Sequence, residues 1–167
     1  MVRRKLRIRQ KTMREFTHFP IRGVAAAQTR PIRAGVLRPH QNAAELVFSG
    51  DDDALTRHFG AFDAEGNLVG VASIYREDAP PELRDFAPQN AWRLRGMATL
   101  PAVRGRGVGR ELLENALSWA KSQGGAAVWC NAREIAVPFY RKSGFEICGE
   151  RFELPEIGPH FLMWRAL

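Results

Sequence analysis

The sequence has few cysteines and no long apolar run. Its 167 residues include two cysteines, Cys130 and Cys148, which lie outside any metal-ligand spacing. This excludes a disulfide-rich fold and the usual zinc motifs, and it predicts two free thiols in a reducing compartment. No apolar stretch approaches the roughly 20 residues of a membrane-spanning helix. We therefore expect one cytoplasmic domain, with 45% hydrophobic residues to form its core.

Acidic residues are scarce at the beginning of the chain. Residues 1–23 hold eight Lys and Arg but only Glu15, which accounts for the net charge of +7, whereas the remainder carries 17 basic and 17 acidic residues. A basic arm can bind nucleic acid or lipid headgroups, or serve as an Arg-rich transit segment, although this arm lacks the serines of a transit peptide. We expect residues 1–22 to be a disordered or loosely attached extension. Residues 23–167 then form a neutral domain whose charge indicates neither a nucleic acid nor a membrane partner.

A glycine-rich turn precedes the clearest helical pattern in the chain. Apolar residues recur at spacings of three and four, as on a helix with one buried face; they are Val108, Leu112, Leu113, Ala116, Leu117 and Ala120. Gly124-Gly125 predicts the end of this helix. Gly105, Gly107 and Gly109 stand where the helix begins, and the first amides of a helix lack partners and attract anions. We interpret residues 104–109 as a phosphate site.

Two common nucleotide-binding motifs do not fit this turn. A Walker phosphate loop has Lys followed by Ser or Thr after its last glycine, whereas Arg110-Glu111 follows here. A Rossmann turn has glycines in the pattern G-x-G-x-x-G and an acidic residue about 20 residues further on. The three glycines here are evenly spaced by two, and no such acidic residue ends a following strand. Both motifs are excluded.

The chain resembles the GNAT superfamily of N-acetyltransferases in two motifs. The first is Gln or Arg, two residues, Gly, one residue, then Gly or Ala. The second is an asparagine leaving a buried strand, a short helix with Phe-Tyr, and Gly-Phe before the next strand. The matching residues are Arg104, Gly107 and Gly109 for the first motif, and Asn131, Phe139-Tyr140 and Gly144-Phe145 for the second. The resemblance covers the chain from about residue 29 and is most specific over residues 92–145.

The resemblance implies an α/β fold whose mixed, mostly antiparallel sheet is splayed at a central parallel strand pair and flanked by helices. Alternation predicts a hairpin over residues 58–62 and 68–75, and apolar runs predict further strands; these are residues 92–100, 126–130, 145–152 and 161–165, with a loop over 153–159. A helix within residues 25–36 is expected to be broken or late-starting, because Pro31 and Gly35 interrupt it. The first strand has no clear pattern.

The resemblance also implies an acetyl-CoA site. The loop amides would hold the pyrophosphate, and the backbone of residues 97–99 would pair with the pantetheine arm, with a bulge that splays this strand from residues 128–131. Asn131 would hydrogen-bond the same arm. The predicted cofactor-binding residues are Met97, Ala98, Thr99, Arg104, Gly105, Arg106, Gly107, Val108, Gly109 and Asn131.

Tyr140 maps onto the position of the family's usual general acid. A phenol has an unperturbed pKa of about 10, so it is protonated at neutral pH and can donate to a departing thiolate. The alternative is an ordinary helix aromatic that packs beside Phe139. Given the motif, we predict that Tyr140 is the acid.

The general base is less defined. Many relatives place a glutamate on the central strand, but Arg93 and Arg95 stand there and cannot act as bases. His160, which the pattern places in a turn before the last strand, could accept a proton from an amine, or it could be a partly exposed turn histidine. A water chain or a carboxylate from Glu77 or Glu82 also remains open.

A run of three aspartates, at residues 51–53, invites a metal site or an amine clamp. Consecutive side chains cannot all point one way, and no further ligands follow at calcium-loop spacing. We expect a solvated loop or a helix cap, and no metal site.

These observations predict an acetyl-CoA-dependent enzyme that acetylates the primary amine of a small molecule by direct attack in a ternary complex. One alternative is an acyl-CoA-binding sensor without turnover. Another is a protein-amine acetyltransferase tethered by the basic arm. Homodimers are common in the family, so the resemblance also leaves a homodimer open.

Overall fold

A computed structural model of the chain describes residues 19–86 and 89–167. The predicted basic extension covers residues 1–22. Residues 1–18 lie outside the described part, so for them it stays a prediction, whereas Phe19 is buried and a strand begins at Ile21. The described strands are β1 (Ile21–Gly23), β2 (Arg57–Phe62), β3 (Leu68–Tyr75), β4 (Ala91–Thr99), β5 (Ala127–Arg133), β6 (Glu146–Leu154) and β7 (Gly158–Ala166). The helices are α1 (Ala26–Leu37), α2 (Val108–Ser122) and α3 (Val137–Lys142).

The described strands form one mixed sheet in the order β1-β2-β3-β4-β5-β7-β6. Every neighbouring pair is antiparallel except β4 and β5. This parallel pair is joined only from Ala91 opposite Ala127 to Arg93 opposite Trp129, after which the two strands have no further paired residues. The predicted fold, a mostly antiparallel sheet splayed at a central parallel pair, is confirmed.

A bulge in β4 lies just beyond the paired part. The register with β3 shifts by one residue between the pairs Ser73–Arg95 and Val71–Ala98. Gly96 lies within this shift at φ +64°, a backbone conformation that residues with a Cβ rarely adopt. The bulge bends β4 where it leaves β5, as the resemblance implied.

Helix α2 supplies the centre of the core, as its periodicity predicted. Leu112, Leu113 and Ala116 have no exposed surface, and the helix contacts β2, β3 and β4. Burial of each leucine contributes about 1.5–3 kcal/mol. The amino end of α2 is thereby fixed against the strands that splay.

Helix α1 corrects one prediction. It runs without a break from Ala26 to Leu37 with Pro31 inside it, so the expectation of a broken or late-starting helix is wrong. Proline in a helix costs about 3 kcal/mol. Here Thr29, Ile32 and Arg33 are buried on one face of the helix, which packs against β3 and β4. Tertiary packing therefore outweighs the local cost.

At both edges of the sheet, the strands also differ from those that the sequence predicted. The strand that the sequence left unplaced is β1, which pairs Ile21 with Ala61 of β2. At the other end, the predicted loop over residues 153–159 is too long, because Leu154 pairs with Gly158 and Glu153 with Pro159. Pro159 is tolerated because it lies near the start of its strand.

Candidate active site

The amino end of α2 is a bare helix terminus. Gly107 is the residue before its first turn, at φ +89°, and no side chain caps the helix there. The glycine two residues earlier, Gly105, has φ +75°. A Cβ at either position would meet no atom within 4 Å, so the backbone conformation, and not crowding, is what requires glycine. The first amides of α2 therefore have no side-chain partner at this terminus.

Positive charge surrounds this terminus. The side chains of Arg104, Arg106 and Arg110 are exposed, and the Arg106 guanidinium lies 4.9 Å from the centre of the Phe19 ring. Together with the positive end of the helix dipole, these charges favour an anion. The predicted phosphate residues therefore occupy one continuous turn and helix start.

The helix start is close to the splayed strands. A Cβ on Gly109 would lie 3.5 Å from Cε of Met97 in β4 and 3.5 Å from the Phe139 ring in α3. Met97 in turn lines a cleft of about 360 Å³ between the diverging halves of β4 and β5. The α2 terminus and the cleft are thus separated by one layer of side chains.

The cleft brings together four of the residues singled out in the sequence: Met97, Asn131, Tyr140 and His160. Ala98, Thr99 and the loop over residues 104–109 are not part of its lining. Ala98 is buried and Thr99 is half-buried at the end of β4. On the side of β4 that faces β5, the described structure pairs no residue beyond Arg93, so this edge of the strand is available for hydrogen bonds.

Tyr140 lies in α3 with 8% of its surface exposed. Its ring packs edge-on against Phe139 and Phe145, and its hydroxyl points to Sδ of Met97 at 3.8 Å. Burial, and to a lesser extent Cys130, raise the pKa of Tyr140 well above its ordinary value. The phenol is therefore protonated at every physiological pH, as a proton donor needs to be.

His160 lies in β7 and not in a turn, and 4% of its surface is exposed. The prediction of a partly exposed turn histidine is wrong, because β7 begins at Gly158, two residues before His160. Nδ1 is 2.8 Å from the carbonyl oxygen of Gly158. A carbonyl can only accept a hydrogen bond, so Nδ1 carries the proton and Nε2 has the free electron pair.

The pKa of His160 is lowered from its usual value. Burial is the main cause, and the nearby positive charges of Arg133 and Arg38 add to it, while the bond to Gly158 and the charge of Glu153 oppose it. The ring is therefore mostly neutral at pH 7. A neutral imidazole in a cleft can act as a base.

The other candidate bases are less well placed. Glu77 forms an ion pair with Arg93, with 2.9 Å between the charged atoms, and neither Glu77 nor Glu82 lines the cleft. Cys130 does line it, but burial raises the pKa of this thiol. Both cysteines are free, as predicted.

Sequence reasoning missed a buried polar network behind the bulge. Arg33 has no exposed surface; its Nη1 donates to both carboxylate oxygens of Asp51, at 3.1 and 3.0 Å. Its Nη2 donates to the hydroxyls of Ser73 and Tyr75, at 2.8 and 2.9 Å. The prediction of a solvated loop is therefore wrong for Asp51, although it holds for the exposed Asp52. The available signal was the spacing of Arg33, which lies three residues before Val36 and four before Leu37 on the helix.

The same network includes a buried histidine. Nε2 of His58 is 2.8 Å from the carbonyl oxygen of Asp51, and Nδ1 is 2.7 Å from the Ser73 hydroxyl. A carbonyl can only accept, so Nε2 donates to Asp51, and the Ser73 hydroxyl is the partner of Nδ1. His58 joins β2 to the aspartate loop and does not line the cleft.

The sequence of the chain matches the model of the Acetyltransferase (GNAT) family over residues 24–145. The chain belongs to the GNAT family of acetyltransferases. It is 34% identical over 147 residues to the uncharacterized N-acetyltransferase YitI of Bacillus subtilis, covering 88% of this chain and 95% of that protein. It is 31% identical to the N-alpha-acetyltransferase RimI of Mycobacterium tuberculosis, covering 75% of this chain and 85% of that protein.

Solved structures share the fold. Escherichia coli ElaA superposes with a TM-score of 0.68 at 20% identity, covering 89% of this chain and 99% of that one. An aminoglycoside 6'-N-acetyltransferase complexed with coenzyme A also gives a TM-score of 0.68, at 15% identity, covering 88% and 96% of the two chains. Within residues 19–86 and 89–167, no helix is long and apolar enough to cross a membrane.

Proposed function

We propose that this acetyltransferase uses acetyl-CoA and transfers the acetyl group to the primary amine of a small molecule by direct attack in a ternary complex. The observation that carries the proposal is the position of the bare α2 terminus beside a cleft that holds Tyr140 and His160. The two features lie on either side of Met97. An anion bound at the α2 terminus would therefore lie one layer of side chains away from a proton-transfer site in the cleft.

The residues present fit acetyl-CoA. The amides from Gly105 to Gly109 would bind its pyrophosphate, because they begin a helix that no side chain caps. The unpaired edge of β4 over residues 97–99 and the Asn131 side chain would bind the pantetheine arm. Acetyl-CoA supplies an activated acetyl group as a thioester. The exposed arginines 104 and 106 would add charge attraction to the phosphates.

His160 and Tyr140 would move the protons. Nε2 of His160 has a free electron pair, so it would accept the proton that the amine loses as it attacks. The Tyr140 hydroxyl would donate a proton to the thiolate that departs. No protein nucleophile is needed, which agrees with the high pKa of the buried Cys130 thiol.

A charge placed at the α2 terminus tests the proposal. In the variant Gly107→Glu, a carboxylate would occupy the anion site, and we expect calorimetry to show no CoA binding and an acetyl-transfer assay to show no activity. Gly124→Glu is the matched control, because Gly124 follows the other end of α2 at φ +77° and a Cβ there also meets nothing within 4 Å.

The control variant should bind CoA as the wild type does. Normal CoA affinity in Gly107→Glu would contradict the phosphate assignment. Tight CoA binding by the wild type without transfer to any amine would favour a sensor without turnover.

A further inference from the structure

The cleft beside Tyr140 is lined by four arginines, Arg38, Arg93, Arg95 and Arg133. They come from the end of α1, from β4 and from the end of β5. Among the described residues that line the cleft, there is no aspartate or glutamate. The proton-transfer site is therefore strongly cationic, although the domain as a whole is close to neutral.

Three of these arginines have no acidic partner in the described structure. Arg93 pairs with Glu77, but Arg38, Arg95 and Arg133 form no ion pair among the described residues. Nη1 of Arg38 donates to the carbonyl oxygen of Leu37 at 3.3 Å, and Nη2 of Arg133 donates to the same oxygen. The Arg95 guanidinium stacks at 4.1 Å on the Phe48 ring.

These side chains are only partly exposed, so burial makes their charged form less favourable than it is in water. Burial lowers the pKa of Arg133, and burial followed by repulsion from Arg133 lowers the pKa of Arg38. Burial also lowers the pKa of Arg95, and the charge of Arg93 adds to this effect. In addition, Nε of Arg93 is buried without a hydrogen-bond partner in the described structure. A bound anion would relieve the repulsion among these charges.

We propose that the acceptor amine carries an oxyanion, a carboxylate or a phosphate, which Arg95 and Arg133 bind while the amine faces His160. This inference rests on the proposed function and names the class of acceptor. The phosphates of CoA are served by the α2 terminus on the other side of Met97, so these arginines are left for the acceptor. A polyamine or other polycation would meet four like charges and is disfavoured.

Arg95 and Arg133 come from different strands of the diverging pair. Arg95 lies in β4 and Arg133 in β5, and both line the cleft, so the cleft offers guanidinium donors from both strands. Arginine binds carboxylates and phosphates through two parallel N–H donors, which fixes orientation as well as charge. An amine on the same molecule can then point toward His160.

The first test changes the acceptor and leaves the protein unchanged. Acetyl transfer is measured with the protein amino acids, each paired with its carboxamide, with phosphoethanolamine paired with ethanolamine, and with spermidine. We expect kcat/KM to be at least about 10-fold higher for an amine that carries a carboxylate or phosphate than for the paired amine that lacks this oxyanion. The two sets of pairs distinguish a carboxylate from a phosphate. Preference for the amines that lack an oxyanion, or for spermidine, would overturn the inference.

The second test changes the arginines. In Arg95→Gln and Arg133→Gln, KM for the preferred oxyanion amine should rise about 10- to 100-fold, while Kd for CoA stays the same. Lys121→Gln is the control, because it removes one exposed positive charge near the far end of α2. If the arginine variants instead weaken CoA binding and leave the acceptor KM unchanged, these residues serve the co-substrate and the inference is wrong.

A binding measurement separates failure of this inference from failure of the proposed function. Calorimetry with the CoA complex should show binding of the oxyanion amines of the panel to the wild type and its loss in Arg95→Gln. Such binding without acetyl transfer would support the anion site and contradict the proposed function. Acetyl transfer to amines that bind equally well to wild type and Arg95→Gln would support the function and contradict the anion site.

Discussion

Arg33 lies directly behind Gly96: a Cβ built on Gly96 would be 2.7 Å from Nε of Arg33. The guanidinium is held in place by Asp51, Ser73 and Tyr75. The bulge of β4 is thus supported from behind by a buried ion pair, at the point where β4 leaves β5. This contact links the core of the domain to the strand edge that we propose binds the pantetheine arm.

Replacing Gly96 by alanine should destabilise the protein. The residue has φ +64°, and its Cβ would press on an arginine that cannot move away without breaking its hydrogen bonds. We expect the free energy of unfolding to fall by about 2–4 kcal/mol in a urea titration, from backbone strain and overpacking together.

Gly66→Ala is the matched control for this variant. Gly66 has φ +84°, but a Cβ there would meet nothing within 4 Å. It should therefore lose only the backbone term of about 1–2 kcal/mol. Equal losses in the two variants would show that Arg33 does not crowd Gly96.

Replacing Asp51 by asparagine should leave the Arg33 charge buried without its counter-ion. We expect a loss of about 3–5 kcal/mol in the free energy of unfolding, as for one partner of a buried pair. Asp52→Asn, at the exposed neighbouring position, should change stability by less than about 0.5 kcal/mol. A small effect at Asp51 would contradict the importance of the pair.

The same aspartate should contribute to acid unfolding. Burial alone would raise its pKa, but hydrogen bonds from Arg33, Tyr75 and the Phe48 amide, and the charge of Arg33, lower it below the ordinary value overall. A carboxyl with a depressed pKa in the folded state stabilises the protein above its unfolded pKa of about 3.9, and this stability is lost as pH falls through the folded pKa. Unfolding titrations below pH 4 should show a steeper loss in wild type than in Asp51→Asn.

The sequence predicted those parts of the fold that rest on local patterns. Helix α2 and its glycine turn follow from apolar periodicity and helix-start chemistry, and the motifs around Asn131 and Tyr140 indicated the parallel pair. Long-range partners were not visible in this way. Asp51 pairs with an arginine 18 residues earlier, and the continuity of α1 through Pro31 depends on packing against the sheet. His160 was misplaced because Pro159 was interpreted as part of a loop.

Removing the Tyr140 hydroxyl should slow catalysis without unfolding the protein. The hydroxyl has only a long contact to Met97 in the described structure, so Tyr140→Phe should keep its stability and its affinity for CoA. If the phenol donates the proton to the thiolate, kcat should fall by about 10²-fold. Because the pKa of Tyr140 is raised, the wild type should show no loss of activity from its ionisation at pH 9. An unchanged kcat would mean that water or another group donates the proton.

The His160 ring should titrate below the ordinary histidine pKa of about 6.5. Its NMR signals can be assigned by their absence in His160→Gln. A pKa lowered by burial and positive neighbours means that the neutral form predominates at pH 7, and Arg133→Gln should raise the pKa because it removes a like charge. Lys121→Gln should leave it unchanged. A wild-type pKa at or above 6.5 would contradict the assigned environment.

His160→Gln should also lower kcat by about 10²-fold if the ring is the general base. The loss should persist across pH 7–9, because the ring is mostly unprotonated in this range and accepts the proton that the free amine loses as it attacks. No loss, or a loss that disappears as the pH rises, would contradict this role of base and would favour a water chain.

The most direct measurement of the proposed function is the release of free CoA thiol from acetyl-CoA by the purified wild-type protein, with an amine present and absent, and with the product analysed by mass spectrometry. We predict amine-dependent release of thiol in equal amount to an N-acetylated product. Tight binding of acetyl-CoA with no amine-dependent release across the panel, or thiol release without an acetylated amine, would contradict it.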